Sequence, residues 1–226
     1  MAFDMTLVLI SSETRNLKRV HMKPVFSSLK GILLIGCFFI FKPCSAQNWD
    51  IDLLRSINPE NPGSGVWKAA TNSAYPISIA TPLVIWTDAK LKHNKANEYR
   101  AYTVAGSIII AAAATEAMKI IFDRARPYEK YTGVYPYKVE EGKSFPSGHA
   151  SLAFANATSL SLQYKKWYVV VPAYVWAAGV GYSRLYLGAH YPTDIIGSAV
   201  TGAGSALLSN WISKKIFHAP KLKAAN

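Results

Sequence analysis

Residues 101–122, AYTVAGSIIIAAAATEAMKIIF, carry only two charged side chains, Glu116 and Lys119, both close to the end of the stretch. A helix needs roughly 20 predominantly apolar residues to cross the hydrocarbon of a bilayer, so this stretch predicts a membrane-spanning helix. Arg-Ala-Arg-Pro127 follows and ends it, since proline cannot continue the backbone ladder. Toward the C-terminus lie a polar, tyrosine-rich loop at 128–145 and helical stretches at 147–164 and 167–182, joined by a basic turn at Lys165 and Lys166. A last stretch runs over 193–212 and ends in Lys214 and Lys215. Toward the N-terminus, 88–100 reads as a basic polar loop and 66–86 as an apolar stretch carrying Pro76 and Pro82. Residues 48–58 place Trp49, Ile51, Leu53, Leu54 and Ile57 at helical spacing, with the acids on the opposite face: a short amphipathic helix for a membrane interface.

The fold class is therefore all-α, a helical bundle embedded in a membrane with about five spanning helices. The competing reading is a soluble helical bundle, because several stretches are short and carry Ser, Thr and Asn. The 226 residues, 50% apolar and 17% charged, suit one compact domain and exclude a disordered chain. The net charge of +12 is spread in ones and twos between apolar stretches, which is unlike a nucleic-acid stripe and excludes nucleic acid as the favoured partner. If the chain crosses at each stretch, basic segments 88–100, 165–166 and 214–223 share the inner side, and 128–145 and 183–192 the outer, as the positive-inside bias requires.

Ahead of this domain, 22–46 (MKPVFSSLKGILLIGCFFIFKPCSA) has a charged start, an apolar run of 11 and a small-residue exit, as an export signal does. The expected division is a leader at 1–46, with Met22 as the true start, and one exported domain at 47–226. An uncleaved signal anchor is the alternative. Both cysteines, Cys37 and Cys44, fall in the leader, so the rest of the chain has neither disulfide nor cysteine-metal chemistry.

Three polar clusters sit where apolar helices meet the outer face. In the first, Lys119 and Arg126 are seven apart, nearly two turns along one helix face, and converge on an anion or act as snorkelling anchors. Arg124, off that face, reads as a surface or interface residue. Glu116 reads as an ion-pair partner of Lys119. In the second, Pro146-Ser147-Gly148-His149 opens a helix: free backbone N–H groups there bind anions and a histidine can shuttle a proton, while the plain alternative is a helix start capped by Ser147. In the third, Ser183-Arg184 is followed by His190 and, four residues later, Asp194, whose carboxylate can hold the imidazole by its second nitrogen. A capping Asp194 beside an incidental histidine, or an i, i+4 metal pair, are the alternatives. A metal would want further ligands, and none is evident among five histidines.

Taken together, K-x6-R-P, P-S-G-H and S-R-x5-H-x3-D resemble the type 2 phosphatidic acid phosphatase and vanadium haloperoxidase superfamily. Eleven positions match in order between Lys119 and Asp194. The resemblance implies a phosphatase without metal or cofactor. His190 would be the nucleophile forming a phosphohistidine, Asp194 would orient it, and His149 would protonate the leaving oxygen and then activate water. Lys119, Arg126, Ser147, Gly148 and Arg184 would hold the phosphate oxygens. The implied substrate is a lipid phosphate (phosphatidic acid, phosphatidylglycerophosphate, a polyprenyl diphosphate or lipid A) met at the outer face of the membrane, the periplasmic face of the inner membrane in a bacterium. The alternatives are a soluble exported acid phosphatase of the same superfamily, a vanadate-dependent haloperoxidase, and a non-catalytic membrane protein of the same fold. Tyr128, Tyr131, Tyr135 and Tyr137 read equally as a cover over the site, a head-group contact or an interfacial aromatic belt.

Overall fold

The structure is a computed structural model that describes residues 46–217. The expected leader with its possible start at Met22, both cysteines, and the basic tail with Lys221 and Lys223 lie outside the described residues, apart from Ala46. The described chain is helical, in the order α1 (Ala46–Ile57), α2 (Gly65–Leu91), α3 (Lys95–Phe122), α4 (Pro127–Lys130), α5 (Gly148–Tyr164), α6 (Trp167–Tyr186) and α7 (Pro192–Ile216).

Four long helices, α2, α3, α6 and α7, surround the fifth, α5, and pack against it. Its sequence explains that position. Ala150, Ser151, Ala153, Ala155, Ala157 and Ser159 are all buried, and small side chains let neighbouring backbones come close on every side. The approach is tightest at Gly202 of α7, where a Cβ would lie 2.5 Å from the Ser151 carbonyl oxygen and 2.6 Å from the Ala155 nitrogen. Large apolar side chains point outward instead, among them Ile79, Leu83, Ile109, Ile120, Val175 and Leu207. A bundle with small residues inside and branched apolar residues outside is built for lipid as its solvent.

All five expected long helices are present, but their bounds differ. Among the described residues two stretches, Lys95–Lys130 and Pro192–Ile216, are long and apolar enough by themselves to cross a membrane. α5 is 17 residues long, and α2 and α6 carry charged residues and prolines, among them Lys68, Pro76, Pro82, Pro172 and Arg184, that lower the mean hydropathy. The expected basic loop 88–100 is mostly helix, broken only by a tight turn where His93 takes φ 51° and Asn94 caps α3 through Ala96 and Asn97. Its charges pair with one another, Lys90 and Lys95 with Glu98 and Lys92 with Asp88, so they sustain the helix ends.

A second correction concerns α1. The expected face that kept its acids together does not exist, because Asp50 is buried with Ile51 and Leu54 while Asp52 is exposed. Asp50 is pulled inward by Arg124 and Thr193.

Candidate active site

α3 stops at Phe122 because Asp123 adopts a left-handed conformation, φ 42°, and Pro127 opens α4. Lys119 and Arg126 therefore do not share one helix face, contrary to the sequence expectation. Arg126 is the N-cap residue of α4, and its side chain runs back beneath the loop that precedes α5. There it is 3% exposed, donating to the carbonyls of Gly142, Glu141 and Ala189 and to the Glu140 carboxylate at 3.0 Å. Lys119 instead pairs with Glu116 at 2.9 Å.

Arg184, near the end of α6, is equally buried. Its Nη1 donates to Thr71 Oγ1 at 2.7 Å and its Nη2 to Glu140 Oε1 at 2.5 Å. The Glu140 carboxylate thus bridges two buried guanidinium groups from elements far apart in sequence. Burial works against its charge, yet Arg184 and Arg126 hold the carboxyl down at about 2. Two forks around one bidentate anion form an oxyanion seat, and Tyr128 fixes the loop over it, its hydroxyl bonded to both the amide and the carbonyl of Glu140 at 3.0 Å.

The α5 start lies beside this seat. Ser147 precedes the helix without capping it, and its amide is taken by Ser198 Oγ at 2.9 Å. Ser147 Oγ and Arg184 Nε are buried without hydrogen-bond partners among the described residues, as donors reserved for a bound anion would be. His149, in the first turn of α5, packs edge-on against Tyr75 with ring centroids 4.5 Å apart. The charged groups around it are Arg184, Glu140, His190 and Lys119. Lys119 therefore does border the site, although it does not share a ligand with Arg126.

His190 is reached through a turn that needs glycine: Gly188 has φ 67°, and a Cβ there would lie 2.6 Å from the Tyr135 carbonyl oxygen. The imidazole is 2% exposed. Its Nδ1 is 2.8 Å from the Ser144 carbonyl oxygen and 3.4 Å from Asp194 Oδ2. A carbonyl only accepts, so Nδ1 carries the proton and Nε2 keeps its lone pair. Burial pushes the imidazole below the usual histidine range, against the pull of Asp194, while Arg184 adds to the lowering. Asp194, at the start of α7, is fully buried; it accepts from Ser144 Oγ at 2.5 Å, the Tyr191 amide at 2.9 Å and Arg124 Nη1 at 2.5 Å.

Six residues enter the site that sequence reasoning missed or placed elsewhere: Glu140, Ser144, Thr71, Tyr75, Asp50 and Arg124. Arg124, expected on the surface, is half-buried, lies 3.8 Å above the Tyr191 ring and binds both Asp194 and Asp50. Of the loop tyrosines, Tyr128 pins Glu140, Tyr131 packs on the α1–Tyr191 cluster, and Tyr135 and Tyr137 are exposed.

The model of the PAP2 superfamily matches residues 100–217. An undecaprenyl-diphosphatase of Sulfolobus acidocaldarius is 32% identical over 108 residues, covering 47% of this chain and 52% of that protein. A lipid A 4'-phosphatase of Bacteroides thetaiotaomicron is 36% identical over 75 residues, a third of each chain. The chain thus spans about half or less of the length of these curated relatives. Among solved structures, Aquifex aeolicus LpxE aligns over 72% of this chain and 95% of its own, with a TM-score of 0.60 and 25% identity. A transmembrane PAP2-type phosphatidylglycerolphosphate phosphatase of Bacillus subtilis aligns over 88% and 98%, with a TM-score of 0.63 and 20% identity, and so shares the fold.

Proposed function

The chain belongs to the PAP2 superfamily, and from that membership we propose that it is a membrane-embedded lipid phosphate phosphatase working through a phosphohistidine. The observation that carries this reading is the buried two-arginine anion seat beside a histidine whose Nδ1 is tied down. The outward-facing apolar side chains of the long helices support a lipid as the bearer of the phosphate.

In this reading the substrate phosphate displaces the Glu140 carboxylate and takes Arg126 and Arg184, with Lys119, Ser147 Oγ and the Gly148 amide on its remaining oxygens. His190 Nε2 attacks phosphorus, and the P–O bond to the lipid breaks as His149 gives its proton to the leaving oxygen. His149 then takes a proton from water, whose oxygen attacks phosphorus and breaks the P–N bond, releasing phosphate and free His190. Asp194 holds the imidazole through both steps. The cations are in place before charge develops, which is electrostatic preorganisation. The site faces the outer side of the membrane, periplasmic in a bacterium, by the distribution of basic segments. The candidate substrates are phosphatidic acid, phosphatidylglycerophosphate, a polyprenyl diphosphate and lipid A.

The test is phosphate release by the detergent-solubilised protein in EDTA, wild type beside His190→Ala, on these lipids and on a soluble phosphomonoester. Release from a lipid by wild type alone is expected, with orthovanadate as inhibitor. Activity confined to the soluble ester, or found outside the membrane fraction, would replace this reading with an exported acid phosphatase.

A further inference from the structure

Two groups hold Nδ1 of His190, the Ser144 carbonyl and the Asp194 carboxylate, and both lead back to Arg124. The Arg124 carbonyl accepts from the Ser144 amide at 2.8 Å, fixing the peptide that fixes the imidazole. The Arg124 guanidinium takes Asp194 Oδ1 at 2.5 Å, the oxygen not turned to His190, while Oδ2 accepts from Ser144 Oγ. With one oxygen on Arg124 and the other on Ser144 and the Tyr191 amide, the carboxylate cannot rotate.

Arg124 is itself held by α1. Its Nη2 pairs with Asp50 Oδ2 of α1 at 2.6 Å, and its face lies over the Tyr191 ring. Asp50 also accepts from the Thr193 amide at 2.9 Å and the Thr193 hydroxyl at 2.7 Å, and Thr193 Oγ1 in turn accepts from Arg124 Nη1. A carboxylate 2% exposed on a short amphipathic helix is costly unless paired. Two acids therefore share one guanidinium, and α1, packed on α6 and α7 through Leu54 and Ile51 beside Leu185 and Tyr191, is latched to the nucleophile's support.

We propose that Arg124 and Asp50 are positioning residues of the reaction, through which the N-terminal helix α1 sets the orientation of Asp194 and Ser144 and hence of His190. The inference rests on the reading of His190 as nucleophile. It gives α1 a role in turnover beyond lying at an interface.

The experiment uses the full chain in detergent and the phosphate ester that wild type cleaves fastest. Arg124→Gln is expected to lower kcat by about 100-fold, the scale of a nucleophile misplaced by about 1 Å. KM and the inhibition constant of inorganic phosphate should stay within about twofold, since the anion seat is untouched. Asp50→Asn should lower kcat by about tenfold, Arg124→Lys should recover part of the loss, and the Asp50→Asn/Arg124→Gln pair should cost no more than Arg124→Gln alone. Folded Arg124→Gln with wild-type kcat, a loss falling on KM and phosphate inhibition instead, or additive costs would each overturn the proposal. If Arg124→Gln does not fold, Asp50→Asn and Arg124→Lys decide in the same way, because the first keeps the volume and the Thr193 contacts and the second keeps the positive charge. A wild type that releases no phosphate sinks the phosphatase reading and this inference with it, whereas an active wild type with unaffected variants sinks only the inference.

Discussion

Oε1 of Glu140 lies 2.5 Å from Nη2 of Arg184, and the other carboxylate oxygen lies 3.0 Å from Arg126, so a side chain of the loop before α5 fills the seat made for an anion. Substrate phosphate and Glu140 therefore compete for the same two guanidinium groups. Glu140→Gln removes the competing charge and leaves two buried arginines facing each other. The expected result is vanadate inhibition about tenfold tighter, the size of one charge-assisted hydrogen bond of about 1.5 kcal/mol. The thermal midpoint should fall without phosphate and recover when inorganic phosphate is added. Inhibition no tighter than in wild type would place the phosphate elsewhere.

Arg184 has Nε buried without a partner among the described residues and carries both Thr71 and Glu140 on its other nitrogens. Arg184→Ala should lower the rate by about 100- to 1000-fold, as loss of one preorganised donor does. Steady-state kinetics on the purified variant checks this. A rate within a few-fold of wild type would remove Arg184 from the transition state.

The pH dependence follows from His190. Burial depresses its pKa, so the imidazole stays neutral and nucleophilic on falling pH beyond the ordinary histidine value of about 6.5. The acid limb of kcat/KM should accordingly lie below pH ~6.5. Between the folded and unfolded pKa values the unfolded chain binds the extra proton, so stability from this group is full above ~6.5 and declines as pH falls below it. A kcat/KM profile already falling above pH 7 on its acid side contradicts this account.

Gly202 tests the packing that carries the site. A methyl group there would meet the Ser151 carbonyl and the Ala155 amide of α5, so Gly202→Ala must drive α7 and α5 apart. The expected cost is about 1–3 kcal/mol, read as a lower thermal midpoint in detergent. Gly204, where a Cβ meets nothing within 4 Å, is the control: Gly204→Ala should be neutral or stabilising.

Much of the fold was legible because apolar stretches of membrane length leave little else to form. The bounds failed where local charge pairing extended a helix, as Glu98 does by taking both Lys90 and Lys95 at the α2–α3 turn. The motif residues were legible by type and spacing, but their mutual geometry was not. Helical periodicity put Lys119 and Arg126 on one face, and the left-handed Asp123 ended that helix between them.

From sequence alone came the all-helical class, the family resemblance and the residues Lys119, Arg126, Ser147, Gly148, His149, Arg184, His190 and Asp194, since these follow from hydropathy, local spacing and the order of motifs. Tertiary structure alone decided that Glu140 sits between Arg126 and Arg184, that Ser144 shares His190 with Asp194, and that Asp50 reaches Asp194 through Arg124. Glu140 is 44 residues from Arg184, and Asp50 is 74 from Arg124. No spacing rule reaches that far, because which charges meet across a bundle depends on how its helices pack.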